Sequence, residues 1–168
     1  MKPNWVCRIC GEIHDDVPIC FGTDAPWRAF VPEGEFDHRV ELTTSLCVID
    51  EAHFFVRGHI EIPIHDHPEA LVFSVWSSVS EASFSHINER WSAPDRATDQ
   101  PYFGWLCSPI RVYPDTIHLK LSVQSQYPGL VPLFHVDPAS DHPVAADQRA
   151  GISAERWHRL VLQLMDNG

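Results

Sequence analysis

The sequence predicts an α+β protein with an antiparallel sheet of about five to six strands, an N-terminal zinc-knuckle-like element and C-terminal helices. Between residues 43 and 137, short segments alternate apolar and polar side chains, which is typical of strands with one buried face. From residue 138 onward, apolar side chains recur at helical spacing. With 168 residues, 44% of them hydrophobic, the chain is interpreted as one domain, residues 1–168.

The first element, residues 1–20, contains Cys7 and Cys10 followed by Gly11. Two thiolates at this spacing can chelate one tetrahedral metal, and a glycine after the second allows a tight turn. A structural zinc site takes four ligands, so two more are required. We predict a structural Zn²⁺ with Cys47 as third ligand and His14 as fourth, and with Cys20 as the competitor of His14.

The central sheet begins after a polar stretch, residues 33–42, for which we predict a short helix. Strands are predicted at 46–50 and 53–64, and in the second of these Gly58 indicates a bulge or a close backbone approach. The apolar residues of one parity in this strand are expected to face the core. They are Phe54, Val56, Ile60, Ile62 and Ile64.

Further strands are predicted at 71–79, 102–107, 117–124 and 130–136, with a helix near 81–91 capped by Ser80. In the last strand Pro132 cannot donate to a ladder, which indicates an edge or a bulge. Alternation in the strand before it places four side chains in the core. They are Ile117, Leu119, Leu121 and Val123.

The C-terminal part, residues 138–168, is predicted to be helical. A helix spans 143–150, Gly151 interrupts it, and Ser153 caps a final helix. The apolar stripe of that helix consists of Trp157, Leu160, Val161 and Leu164.

Several of these segments together resemble a bacterial family known only as a domain of unknown function, DUF2199. The resemblance covers almost the whole chain and implies a bacterial single-domain protein, but no reaction, because the family has no assigned activity. The segments that carry it are Cys-x-x-Cys-Gly-x-x-His from Cys7, then 46–50, 54–58, 60–63, 75–80, 102–106, 113–116, 141–145 and 148–152.

The charge of the chain limits its partners. A formal net charge of -11, with only 12 scattered basic residues, argues against nucleic acid, whose binding relies on Lys and Arg neutralising phosphates. No apolar run reaches the roughly 18 residues of a membrane-spanning helix, and the N-terminus lacks the apolar run of a secretory signal. We therefore expect no membrane partner, a cytoplasmic location, and reduced thiols at the five cysteines.

Two clusters leave enzymatic alternatives open. His65 and His67, with Asp66 between them, are able to share a catalytic metal, although a polar hairpin turn is the favoured interpretation. Cys7 and Cys10 have the spacing of a dithiol redox protein, but no βαβ unit surrounds them.

A set of aromatic side chains on the predicted strands offers a floor for a ligand groove, although aromatic residues on strands belong more often to the core. The set is Trp76, Tyr102, Phe103, Trp105 and Tyr113.

These observations favour a non-enzymatic binding or regulatory protein over an enzyme. Its expected partner is a protein with a basic surface, because strong negative charge steers association with cationic surfaces. An acidic immunity-type protein that blocks a basic toxin is one specific version of this hypothesis.

Overall fold

The computed structural model describes residues 19–166 and, for the backbone alone, residues 5–6 and 13–14. The two isolated pieces, β1 (Trp5–Val6) and β2 (Ile13–His14), pair antiparallel. The remaining strands form one eight-stranded sheet. Their bounds are β3 Cys20–Gly22, β4 Val40–Leu42, β5 Leu46–Ile49, β6 His53–Pro63, β7 Ala70–Val79, β8 Tyr102–Leu106, β9 Lys120–Gln124 and β10 Leu133–Val136.

Five of these strands close into a barrel in the order β6-β7-β8-β9-β10. The neighbours along this order are antiparallel, but β10 closes onto β6 in parallel, with Leu133 opposite His59. At the closure the His59 backbone N–H donates to the Pro132 carbonyl at 2.9 Å.

The predicted α+β fold with a simple antiparallel sheet is therefore wrong. The protein is mostly β, with a closed five-stranded barrel, three additional strands in the same sheet and four α-helices among the described residues. The contact that closes the barrel joins strands some 70 positions apart, and local alternation does not encode it. The predicted zinc-knuckle-like element is not seen among the described residues, since residues 7–12 lie outside them.

Two glycines on the barrel strands leave space for neighbouring side chains. A Cβ added at Gly58 would collide with the ring of Phe134, which is fully buried. A Cβ added at Gly104 would collide with the hydroxyl of Ser77. The close backbone approach predicted at Gly58 is confirmed.

A second, smaller core lies on the outer face of β5, β6 and β7. The segment from residue 25 to 40 covers this face with two short 3-10 helices and α1 (Phe36–Arg39). The sequence predicts a buried face for β6 only on its other side, that of Phe54 and Ile60. The buried members of this Trp27 cluster are Trp27, Val31, Val40, Cys47, Ile49, Phe55 and Trp76.

The other helices pack their apolar sides into the main core. They are α2 (Glu81–Glu89), whose Ser80 cap accepts from the Ser83 N–H, α3 (Pro143–Ala150) and α4 (Ala154–Asp166). The predicted stripe of α4, including Trp157 and Leu160, belongs to this core. Among the described helices, none is both long and apolar enough to cross a membrane.

The local predictions match most observed elements, with three exceptions: β3 is not predicted, residues 40–42 form a strand and not the end of a helix, and residue 117 lies outside β9. The predicted strands at 46–50, 53–64, 71–79 and 102–107 and all four predicted helical segments are confirmed within a few residues. Ile117 is wrong as a core residue, because it is 42% exposed and β9 begins only at Lys120. The backbone at His118 has a positive φ of 71°, which breaks the extended run at this point.

Candidate functional site

The predicted zinc ligands divide into those inside and those outside the described residues. Cys7 and Cys10 lie outside them. The backbone of His14 pairs with that of Trp5 in the β1–β2 ladder.

Cys47 lies in β5, fully buried within the Trp27 cluster. Burial in these apolar surroundings raises the pKa of its thiol to about 11, so the thiol is protonated at neutral pH. Cys20, the competing candidate, is exposed at the start of β3. Of the two, Cys20 is the thiol that solvent and a metal ion can reach.

Cys20 and Cys47 do not share one site. The strands that carry them are separated by β7 and β6, so three inter-strand steps of about 4.8 Å lie between them. Within the described part of the chain, no group of three or more His, Cys, Asp or Glu side chains is placed to hold a metal.

The histidine pair at 65 and 67 occupies the turn between β6 and β7, as the hairpin interpretation predicted. His65 Nε2 lies 2.8 Å from the Ala150 carbonyl at the end of α3. His67 Nδ1 accepts from the Glu69 N–H at 3.1 Å, and its ring packs on Trp157 with centroids 4.9 Å apart. Both imidazoles therefore hold the turn against the helices.

A groove of about 460 Å³ on the outer face of the barrel is lined mostly by apolar surface and includes exposed aromatic side chains. Its floor follows the strand register, because Phe55 on β6 lies opposite Ser78 on β7, and Ser78 lies opposite Trp105 on β8. Since paired residues point to the same face, the three side chains form one row across three strands. We call this concavity the aromatic groove; it is lined by Phe30, His53, Phe55, Ser78, Trp105, Cys107 and His118.

One wall of the aromatic groove is formed by Phe30, which belongs to the segment that covers the outer face. Phe30 follows the first 3-10 helix and stacks on His53 with centroids 5.5 Å apart and planes at 29°. Its ring also lies 5.7 Å from that of Phe55. Phe30 remains 46% exposed, so it turns an aromatic face to solvent.

The opposite wall is β8, whose outward side chains are not covered. Trp105 is 44% exposed and Phe103 is 47% exposed, and their rings meet edge to face at 4.9 Å. Lys120, opposite Trp105 on β9, places its ammonium 5.4 Å from the Phe103 ring. Phe103 on this wall therefore already makes a cation–π contact with the chain's own Lys120.

The groove contains one thiol, that of Cys107, but no activated nucleophile is evident there. Burial raises the pKa of Cys107, while hydrogen bonds with Ser78 act in the opposite direction. Its Sγ donates to the Trp105 carbonyl at 3.4 Å. A protonated thiol bonded to a carbonyl is poorly placed for nucleophilic chemistry.

The chain beside the groove is acidic. Residues 28–51 contain six carboxylates and two arginines, so they carry four of the eleven net negative charges in one-seventh of the chain. Arg39 forms a bidentate pair with Asp50 at 2.7 Å and also bonds Glu35 at 3.0 Å. We call these carboxylates the acidic rim: Glu33, Glu35, Asp37, Glu41, Asp50 and Glu51.

The acidic rim acts electrostatically on the groove. The hydrogen bond from Arg39 is the main cause that lowers the pKa of Asp50, and the charge of His53 contributes in the same direction. Asp50 is thus ionised and lies within electrostatic range of a groove residue.

A second cleft, of about 310 Å³, lies where β10 meets β6. His59, Glu61 and His135 line it, and burial, followed by the charge of Arg57, lowers the pKa of His59. The Gln148 amide on its wall is already used, donating to the Phe134 carbonyl and accepting from the Val136 N–H at 2.8 Å.

The aromatic set proposed from sequence is divided by the fold. Trp105 lines the groove and Phe103 lies beside it, whereas Trp76 and Tyr113 are buried and Tyr102 is half-buried. Sequence reasoning missed Phe30 and His53. The only local signal was the breaker-rich loop before Phe30, which gives no indication that the segment folds back over β6.

Comparison with known protein families identifies a match to a family described as uncharacterized. A family model described as "Uncharacterized protein conserved in bacteria (DUF2199)" matches residues 6–152. No curated protein and no solved structure matches the chain.

Proposed function

This chain belongs to the DUF2199 family of uncharacterized bacterial proteins, and we propose that it is a non-enzymatic binding protein that docks a protein with a basic surface on the aromatic groove. The observation that carries the proposal is the pair Trp105 and Phe103, both nearly half exposed on the outer face of β8. Exposed contiguous apolar surface on a soluble domain marks interaction sites, and aromatic residues dominate interface energetics.

The charge of the partner follows from the surroundings of the groove. Asp50 of the acidic rim lies within electrostatic range of His53, which lines the groove, and the whole chain carries a net charge of -11. Complementary charge accelerates encounter and disfavours acidic competitors. A bacterial immunity-type protein that blocks a basic toxin is the specific version of this function that we favour.

The thiol in the groove is poorly placed for nucleophilic catalysis. Burial raises the pKa of Cys107, and the thiol interacts with the Trp105 carbonyl and Ser78. The apolar side chains of the groove instead provide area for burial against a partner.

The binding test uses a basic protein encoded beside this gene, purified separately. Calorimetric titrations at 50 and 300 mM NaCl should show binding that weakens with salt, because rim charges contribute to encounter. The double variant Trp105→Ala, Phe103→Ala should weaken affinity at least about tenfold, as expected for aromatic anchors. Tyr127→Ala, which removes a 67% exposed aromatic ring elsewhere, is the matched control.

Equal affinity for wild type and the double variant would contradict this function. Co-expression adds a cellular readout for the immunity version: wild type should relieve the toxicity of the neighbouring protein, and the double variant should not. Toxicity unrelieved by wild type would refute the immunity version.

A structural Zn²⁺ at Cys7 and Cys10 is the second part of the proposal, supported by their spacing and the following glycine. His14 remains the proposed fourth ligand. For the third, the buried Cys47 is less accessible than the exposed Cys20, and the separation of β3 from β5 means that only one of them joins the site.

Metal analysis of untagged protein tests the zinc proposal. We expect one zinc per chain, lost in Cys7→Ser, Cys10→Ser together with a lower melting temperature, because a structural metal contributes folding energy. Zinc content of Cys20→Ser and Cys47→Ser then identifies the third ligand. Protein without zinc, or a double variant that retains it, would contradict the proposal.

A further inference from the structure

Each wall of the aromatic groove carries an exposed aromatic ring, Phe30 on one side and Trp105 on the other. The Phe30 ring contacts His53 and Phe55 and is still 46% exposed. Trp105 contacts Phe103 edge to face, and it is Phe103, not Trp105, that receives the chain's own Lys120 ammonium. Phe30 and Trp105 therefore line the groove with ring surface that is open to a ligand.

Elsewhere in the chain, two tryptophan rings, the buried Trp27 and the exposed Trp91, are paired with arginines. The Arg28 guanidinium lies 4.8 Å from the Trp27 ring centroid, and the Arg96 guanidinium lies 5.4 Å from that of Trp91. Trp91 is 40% exposed, close to the value for Trp105, yet its ring is occupied by this arginine. Trp105 is similarly exposed, and within the described part of the chain no arginine lies over its ring.

The groove and its rim match a guanidinium better than an ammonium. The floor is mostly apolar, and the guanidinium is planar and weakly hydrated, so it loses less on leaving water and stacks on aromatic faces. The segment 28–51 carries four net negative charges, and its Asp50 lies within electrostatic range of the groove residue His53, so these surroundings favour a cation. Charge complementarity and ring geometry thus select the same chemical group.

We infer that the aromatic groove seats an arginine side chain of the partner, with its guanidinium stacked against Trp105 and facing the Phe30 wall. This inference rests on the proposed binding function and names the anchor that the partner contributes. An arginine is also among the residue types that most often carry interface energy.

The test uses N-acetylarginine amide as probe, with N-acetylcitrulline amide as its uncharged isostere and N-acetyllysine amide as the alternative cation. Titration of ¹⁵N-labelled full-length protein follows the indole N–H signals of Trp105 and Trp91 in one spectrum. The arginine probe should give a saturable shift of the Trp105 signal and none of the Trp91 signal. Affinity for the citrulline probe should be at least about fivefold weaker, as expected for loss of a cation–π contact.

Two variants connect the shift to the groove. Phe30→Leu should weaken the affinity for the arginine probe while keeping the apolar contact with Phe55. Tyr127→Ala should leave the affinity for that probe unchanged. Equal shifts with all three probes, or no shift at Trp105, would overturn the arginine assignment.

The outcome is separable from that of the proposed function. If partner binding requires Trp105 but the arginine probe causes no shift, the arginine assignment fails and the binding function stands. If the partner binds the Trp105→Ala, Phe103→Ala variant as well as wild type, the docking function at this groove fails, whatever the probe does.

Discussion

Gly58 on β6 lies directly against the ring of Phe134 on β10, so close that a Cβ at this position would overlap two ring carbons. The contact sits at the seam where the barrel closes in parallel, and the Pro132 carbonyl adds a third close neighbour. At this seam the strands therefore pack too closely for any residue larger than glycine at position 58 unless a neighbour shifts.

The first prediction concerns this seam. Gly58→Ala should destabilise the protein by about 1–3 kcal/mol, because the added methyl group must displace a fully buried ring or the backbone. Urea unfolding followed by tryptophan fluorescence measures the change. Gly34→Ala is the matched control, since an added Cβ there meets nothing within 4 Å. Equal stability of the two variants would contradict the packing at the seam.

The second prediction concerns alkaline pH and Tyr113. Its hydroxyl donates to Asp147 Oδ2 at 2.7 Å, and burial is the main cause that raises its pKa. An unfolded tyrosine ionises near pH 10, so the stability that neutral Tyr113 contributes is complete below about pH 10 and is lost as pH rises further. Tyr113→Phe should therefore lose less stability than wild type between pH 9 and 11.

Absorbance at 295 nm provides the direct check on that assignment. The difference between wild type and Tyr113→Phe should appear only at the alkaline end of the titration, because burial raises the pKa of Tyr113. A Tyr113 signal that titrates near pH 10, as an unfolded tyrosine does, would show that the hydroxyl is not buried as described.

The third prediction concerns acid pH and the pair of Arg39 and Asp50. The hydrogen bond from Arg39 lowers the pKa of Asp50, so the stabilisation by this pair is present above the ordinary carboxyl pKa and is lost as pH falls through the lowered value. Arg39→Gln should raise the Asp50 midpoint measured by carboxyl NMR titration. Arg90→Gln, which removes the partner of Asp99 instead, should leave it unchanged. An Asp50 midpoint that moves equally in both variants would refute the assignment.

The fourth prediction concerns thiol reactivity in the described part of the chain. Iodoacetamide labelling at pH 8, followed residue by residue with mass spectrometry, should modify the exposed Cys20 first. Cys107 should follow slowly because burial raises its pKa, and Cys47 should react only after denaturation. In denaturant the three rates should converge. Rapid labelling of Cys47 in the folded protein would contradict its place in the Trp27 cluster.

Much of the local structure was readable from the chain. The alternation from Phe54 to Ile64 predicted an inward face of β6, and Ser80 predicted the start of α2. These features depend on neighbours within a few residues, where strand and helix periodicities leave a direct pattern. Trp105 was among the aromatic residues proposed for a groove, but so was Trp76, which the fold buries. Both lie on strands with similar neighbours, so sequence alone could not separate them.

The features that local sequence patterns do not predict depend on the tertiary structure. The sequence by itself determined the strands, the helices, the family and the acidic charge, because these follow from residue types and short-range spacing. Only the fold decided that β10 closes on β6, that the segment 25–40 covers Trp76, and that Trp105 stays exposed. Each depends on contacts between distant parts of the chain, whose energies come from burial and shape and leave no local periodic signal.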